Sequence, residues 1–291
     1  MKKLTAVLLG AVLVLGMTAC GKEKAAEGGA NKAANGGANK AAETTTNTPA
    51  ETKVPTVDEL MAKSTEASEK LKSMSMEAKI NQTIVMKQGD QSQEQKIDMT
   101  MKSDIVKEPM EMHQVINVSM GDQGSQNVEQ YITKDSVYMN QGTGWMKAPA
   151  EQTQQLIDSL KQSASPEAQL QQFKSIAKEA KVIEEGGEYV LTADLSGDGV
   201  KDLAKNLMNQ SGGQNAQTAA MLEQMNIKNI KISYAVNKDT FLPTKSNVTM
   251  AMDMSVEGQN VTLDMVMDST ISKYDEITKI EVPKEVLDSA K

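Results

Sequence analysis

The stretch from Asn247 to Asp268 alternates at period two on both sides of a turn, and no other feature limits so tightly what this chain can fold into. Val248, Met250, Met252, Met254 and Val256 fall on one side of an extended strand, with Thr249, Ala251, Asp253, Ser255 and Glu257 on the other. After Glu257-Gly258-Gln259-Asn260 the alternation resumes with Val261, Leu263, Met265 and Met267 against Thr262, Asp264 and Asp268, broken only at Val266. A helix would scatter these apolar groups around its axis, whereas a strand collects them on one face. The pattern therefore predicts a long antiparallel hairpin with one apolar and one polar face. Its apolar face is mostly methionine, which is not among the strand-favouring residues but whose unbranched, polarisable side chain adapts to irregular contacts. Such a face suits a curved sheet that holds something apolar.

The same grammar runs through the rest of the chain. Thr56 is placed to cap a helix reaching about Lys72, with Asp58 and Glu59 in its first turn. The period then switches from 3.6 to 2. Met74, Met76, Ala78, Ile80, Ile84 and Met86 share a face, then Ile97, Met99, Met101 and Ile105, then Met110, Met112, Ile116, Val118 and Met120. Glycine-marked turns lead through Val128–Thr133, Ser136–Met139 and Gly144–Lys147. Helical spacing returns in 152–162 and 166–180, with Leu156, Leu160, Phe173 and Ile176 on the apolar stripe. Strands at 181–185 and 188–195 follow, then helices at 200–209 and 216–225 carrying Leu207 and Met221, then a strand from Ile227 to Val236. A polar exit strand and a short helix after Pro283 end the chain.

Residues 1–19 have the form of a lipoprotein signal peptide: Lys2 and Lys3, an apolar run from Leu4 to Leu15, then Met17-Thr18-Ala19-Cys20. That last spacing resembles a lipobox, with Met17 where leucine is usual, and it implies acylation of Cys20 by palmitate-type chains. Residues 20–56 are the acylated cysteine and a tether of Ala, Gly, Asn, Lys, Glu and Thr without apolar periodicity. Cys20 is the only cysteine, so a chain cleaved before it has no thiol to spare for a disulfide, a thiolate metal site or a nucleophile. The chain has no arginine and carries a formal charge of −8. An acidic surface without guanidinium forks excludes nucleic acid as a partner and does not attract anionic lipid. The expected address is the outer face of the cytoplasmic membrane, held by the anchor.

Little in the inventory favours catalysis. His113 is the only histidine and falls on the polar side of its strand, without the partners a general base or zinc site recruits. Asp194-Leu195-Ser196-Gly197-Asp198-Gly199 imitates the start of a calcium loop, but position twelve, which calls for a bidentate glutamate, is Lys205. A strand end followed by a helix N-cap accounts for it better. Met-x-Met pairs could ligate Cu(I), yet period two on a buried sheet face produces the same pairs, and core or cavity lining is the favoured reading. With aromatics at 3%, no stacking platform for sugars is evident. No metal and no cofactor is expected.

The order of parts, with Gly144-Trp145-Met146-Lys147 and Asp239-Thr240-Phe241-Leu242-Pro243, resembles a family of Bacillus/Paenibacillus-type lipoproteins whose domain is similar to the LolA, LolB and LppX/LprG carriers. The resemblance covers residues 57–291 as one domain. It implies an α+β fold: a strongly curved antiparallel sheet of about eight to eleven strands, a half barrel with helices packed on its concave face. It also implies that acyl chains are held there. Three functional classes follow, in this order: a non-catalytic carrier of a hydrophobic, acyl-chain-like molecule, a structural or partner-binding lipoprotein with a filled core, and a hydrolase. In the first, the ligand lies between Met99, Met101, Met250, Met252, Met254, Met265 and Met267 of the sheet and Leu156, Leu160, Phe173, Ile176, Leu207 and Met221 of the helices, with entry past a hinge at 210–214.

Overall fold

The computed structural model describes residues 54–89, 91–163, 179–196, 225–256 and 259–290. The described residues form eleven strands, β1 (Ser73–Gln88), β2 (Gln91–Val106), β3 (Glu111–Ser119), β4 (Ser125–Ile132), β5 (Val137–Asn140), β6 (Trp145–Lys147), β7 (Ala180–Glu185), β8 (Glu188–Ser196), β9 (Met225–Asn237), β10 (Pro243–Val256) and β11 (Gln259–Ser272). The described helices are α1 (Val57–Glu69), α2 (Ala150–Ser163) and α3 (Lys284–Ser289). All the strands join one antiparallel sheet in the order β6-β5-β4-β3-β2-β1-β11-β10-β9-β8-β7. The fold is thus α+β, an open sheet whose edges are β6 and β7.

Two meanders make this sheet, one running outward from β1 and the other from β11. They are joined by pairing of β1 with β11 from Ser75↔Ser272 to Lys87↔Asn260. The four central strands, β2, β1, β11 and β10, are 14 to 16 residues long, so the middle of the sheet presents a wide continuous surface. The predicted hairpin is β10–β11, paired as far as Val256↔Gln259, so Gln259 and Asn260, expected in the turn, belong to β11. Register irregularities interrupt the β10–β9 ladder at Pro243/Lys245 and Ala251/Met252, where an extra residue bends a strand and raises its twist.

Helices α1 and α2 lie on the methionine side, here called the inner face. α1 starts with a capping box: Thr56 Oγ1 accepts from the Glu59 N–H (3.3 Å), and the Glu59 carboxylate accepts from the Thr56 N–H (2.8 Å). It ends at Glu69, one turn short of the expected Lys72. Leu60 and Met61 are buried against Tyr189, Leu191 and Val236, each contributing on the order of 1.5 to 3 kcal/mol. α2 buries Ile157 against Met112, Ile132 and Val137, with Leu156 and Leu160 alongside.

The opposite, outer face is closed at one end by the C-terminal segment. Beyond β11 the chain is pinned at Asp275, whose Oδ1 accepts from the Lys72 N–H (2.6 Å), while the Ile277 N–H donates to Ser73 Oγ (3.1 Å). Asp275 has φ +60°, a left-handed turn that redirects the chain, so the expected polar exit is a strand only as far as Ser272. Val286 of α3 then packs on Tyr131 and Tyr138, with Trp145, Ile280 and Val282 around them.

Candidate functional site

Side chains two residues apart share a face, so register across the ladders shows which groups meet on the inner face. Met101 lies level with Ala78 and Ile116, Met99 with Ile80 and Val118, Met265 with Gln82 and Met250, and Met267 with Ile80 and Val248. Five of the seven predicted sheet methionines, Met99, Met101, Met250, Met265 and Met267, therefore occupy neighbouring rows, and all five are half-buried. Met252 and Met254 differ. They are 7% and 9% exposed, locked with Ile84, Ile97, Val261 and Leu263 in a cluster nearer the hairpin turns. The expected lining thus divides into a packed end and a partly accessible band.

Among the helical candidates, Leu156 and Leu160 of α2 are half-buried and pack against the cluster around Met112 and Ile132, at the far end of the band. Phe173, Ile176, Leu207, Met221 and the hinge at 210–214 lie outside the described residues, as does Cys20. α1 closes the β8–β9 side, where Ser64 Oγ and Tyr234 OH are 3.4 Å apart. Burial raises the Tyr234 hydroxyl pKa, partly offset by that contact.

The inner face also holds polar groups that the period-two reading passed over. Gln130 Nε2 donates to Gln114 Oε1 (2.8 Å), and Gln114 Nε2 donates to Ser103 Oγ (2.9 Å), forming an amide ladder across β4, β3 and β2. Gln114 Nε2 also lies 3.2 Å from the Met101 thioether, an acceptor of weak hydrogen bonds. On the other side of the band Gln82 and Gln95 are 5% and 8% exposed, and Gln82 Nε2 sits 3.7 Å from Met265 Sδ. The half-buried methionines are bracketed by amides. Their signal in the sequence is the gap at 82, 103 and 114, where a polar residue interrupts an otherwise apolar stripe.

Other candidates resolve into structural roles. His113 Nε2 is 3.0 Å from Glu129 Oε1, the same oxygen that accepts from Tyr131 OH (3.1 Å), and the His113 ring stacks on Tyr131 at 4.3 Å. Burial, with the Glu129 charge behind it, pushes the Tyr131 hydroxyl up to about 12. This group supports the seat of the C-terminal segment. Asp194 is a β8 residue paired with Lys231 at 3.5 Å, and the remainder of the calcium-like motif, from 197 to 205, lies outside the described residues. Among the described residues no three His, Cys, Asp or Glu side chains converge to hold a metal. No described helix is long and apolar enough to cross a membrane.

A cavity of about 500 Å³ opens on the outer face, lined by Glu188, Val190, Ala235, Lys245, Asn247 and Asp268 among others. Glu188 there accepts from Thr244 Oγ1 (2.7 Å) and pairs with Lys245 (3.3 Å), and the Thr244 hydrogen bond is the main cause of its lowered pKa. Charged groups already satisfied by one another do not suit an aliphatic guest.

Over residues 56–291 the chain matches, and so belongs to, the family of unknown function DUF6612. No curated protein matches it. Among solved structures it is similar to LprF from Mycobacterium bovis, at 11% identity and a TM-score of 0.36, covering 79% of this chain and 96% of that one. It is also similar to a LolA superfamily protein from Nitrosomonas europaea (8% identity, TM-score 0.18, 80% of this chain and 97% of that one). A putative outer membrane lipoprotein-sorting protein domain from Vibrio parahaemolyticus gives 11% identity and a TM-score of 0.23, over 76% of this chain and 92% of that one. No residue role is carried over from these three.

Proposed function

We propose that this member of DUF6612 is an extracytoplasmic lipoprotein that binds an acyl-chain-like molecule on the inner face of its sheet and catalyses no reaction on it. The observation that carries this reading is the half-buried band of Met99, Met101, Met250, Met265 and Met267, set between the cluster at the hairpin turns and the cluster under α2. Apolar side chains in mid-sheet lose stabilisation of roughly 25 cal/mol for each Å² left in water. A bound aliphatic chain recovers it, and methionines repack around such a chain without demanding one shape. Acylation of Cys20 would hold the protein at the outer face of the cytoplasmic membrane, with residues 57–291 acting as one domain on the tether. Replacing Cys20 by alanine then releases the protein into the medium or leaves the precursor uncleaved; unchanged membrane association contradicts the anchor.

The packed end favours a second reading, a structural or partner-binding lipoprotein. Met252, Met254, Val261 and Leu263 are closed in by one another and by β1 and β2, as in any filled core. Native mass spectrometry of protein purified from its own membrane separates the two readings. A carrier retains a noncovalent lipid adduct, whereas a structural domain shows only its own mass while remaining folded.

A further inference from the structure

We propose that Gln82 and Gln95 form a two-point anchor for a group that both donates and accepts one hydrogen bond, so that the preferred ligand is an aliphatic chain ending in a hydroxyl or protonated carboxyl. This rests on the ligand-binding reading of the inner face and goes beyond it by naming the polar end of the guest. Gln82 on β1 pairs with Ile97, and Gln95 on β2 with Ile84, so the two are diagonal neighbours on one face. Residues so placed are about 7 to 8 Å apart, a gap two glutamine side chains close around a single small group.

Both side chains are more than nine-tenths buried, yet Gln82 Oε1 and Gln95 Nε2 have no hydrogen-bond partner among the described residues. Buried amide atoms are nearly always paired. Here one unpaired atom is an acceptor and the other a donor, in adjacent rows. Their setting is otherwise apolar, with Ile84, Ile97 and Leu263 beside them and the half-buried Met265 and Met250 leading into the band. A hydroxyl satisfies both atoms: its proton goes to Gln82 Oε1 and its lone pair takes the Gln95 N–H. An ether or ester oxygen accepts from Gln95 but leaves Gln82 unmet, and a hydrocarbon leaves both unmet. Specificity of this kind comes from the penalty for stranding a buried polar atom.

The test uses the full-length protein, with displacement of a fluorescent fatty-acyl probe by hexadecanol and by hexadecyl methyl ether. The alcohol is expected to compete about tenfold better, the usual consequence of one hydrogen bond to a buried group. In Gln82→Met and Gln95→Met, which keep the length of the side chain and remove its polarity, the two competitors become equal while ether affinity holds or improves. Melting temperatures that do not fall show that the variants are folded. Equal competition in the wild type, as when water alone bridges the two amides, overturns the anchor but leaves the binding face standing; so does a preference that survives both substitutions. Failure of both competitors and of the probe to bind folded protein overturns the binding face itself, and the anchor with it.

Discussion

Tryptophan introduced at Met252 and, separately, at Met99 separates a filled core from an accessible face, because the two methionines share the inner face but not its packing. Met252 is 7% exposed, lies opposite Leu263 and Ile227 and touches the cluster of Ile84, Ile97, Met254 and Val261. An indole there exceeds the space of a thioether in a closed cluster, and such overpacking costs about 1 to 3 kcal/mol. Met99 is half-buried between Ile80 and Val118, so the ring gains apolar cover on one side without displacing a packed neighbour. Its expected effect on stability is under about 1 kcal/mol in either direction. Urea unfolding measures both. With a slope of about 2 kcal/mol/M, a loss of 2 kcal/mol moves the midpoint by about 1 M at unchanged slope. Met99→Trp should instead weaken acyl-probe binding, since the ring occupies the guest's surface. Equal destabilisation at the two positions, with no change in binding, refutes the division of the inner face.

Three further outcomes follow from local geometry. Leu60→Ala, at a fully buried contact between α1 and the β8–β9 end, should cost about 2 to 5 kcal/mol in urea unfolding. Thr56→Ala removes the oxygen that caps the Glu59 N–H and should cost about 0.5 to 2 kcal/mol, a loss a Thr56→Ser variant largely restores. The Tyr131 hydroxyl is raised from 10.0 to about 12 in the folded state, so the unfolded chain loses its proton first as pH rises. The stability Tyr131 contributes is therefore intact below pH 10 and falls as pH climbs to 12. Tyr274, also raised to about 12 by burial, adds to the same alkaline loss, so Tyr131→Phe should reduce the slope of stability against pH in that window without abolishing it.

Strands were legible because burial of one sheet face writes itself into the sequence at period two, and the hairpin Asn247–Asp268 shows this most cleanly. The cap at Thr56 and the α2 stripe were legible because their determinants lie within a few residues of each other. What joins the halves was not. Pairing of β1 with β11 connects residues nearly two hundred positions apart, and no local signal distinguishes that neighbour from any other apolar strand. Depth was also hidden, since Met252 and Met265 look alike in the alternation and differ only in what packs above them. The glutamines escape a stripe reading, which collects apolar residues and skips the rest. Gln82, Gln114 and Ser103 sat at the correct spacing all along, and only register revealed that they face inward with the methionines.

The central claim is that the guest lies on the half-buried methionine band, and photolabelling with a diazirine-bearing fatty-acyl chain tests it most directly. On the full-length protein the label should concentrate in the peptides of β2 and β11, around Met99, Met101, Met265 and Met267, and an excess of hexadecanol should remove it. Labelling concentrated instead around Glu188, Lys245 and Asp268 in the outer cavity, or no saturable labelling of folded protein, would contradict the account.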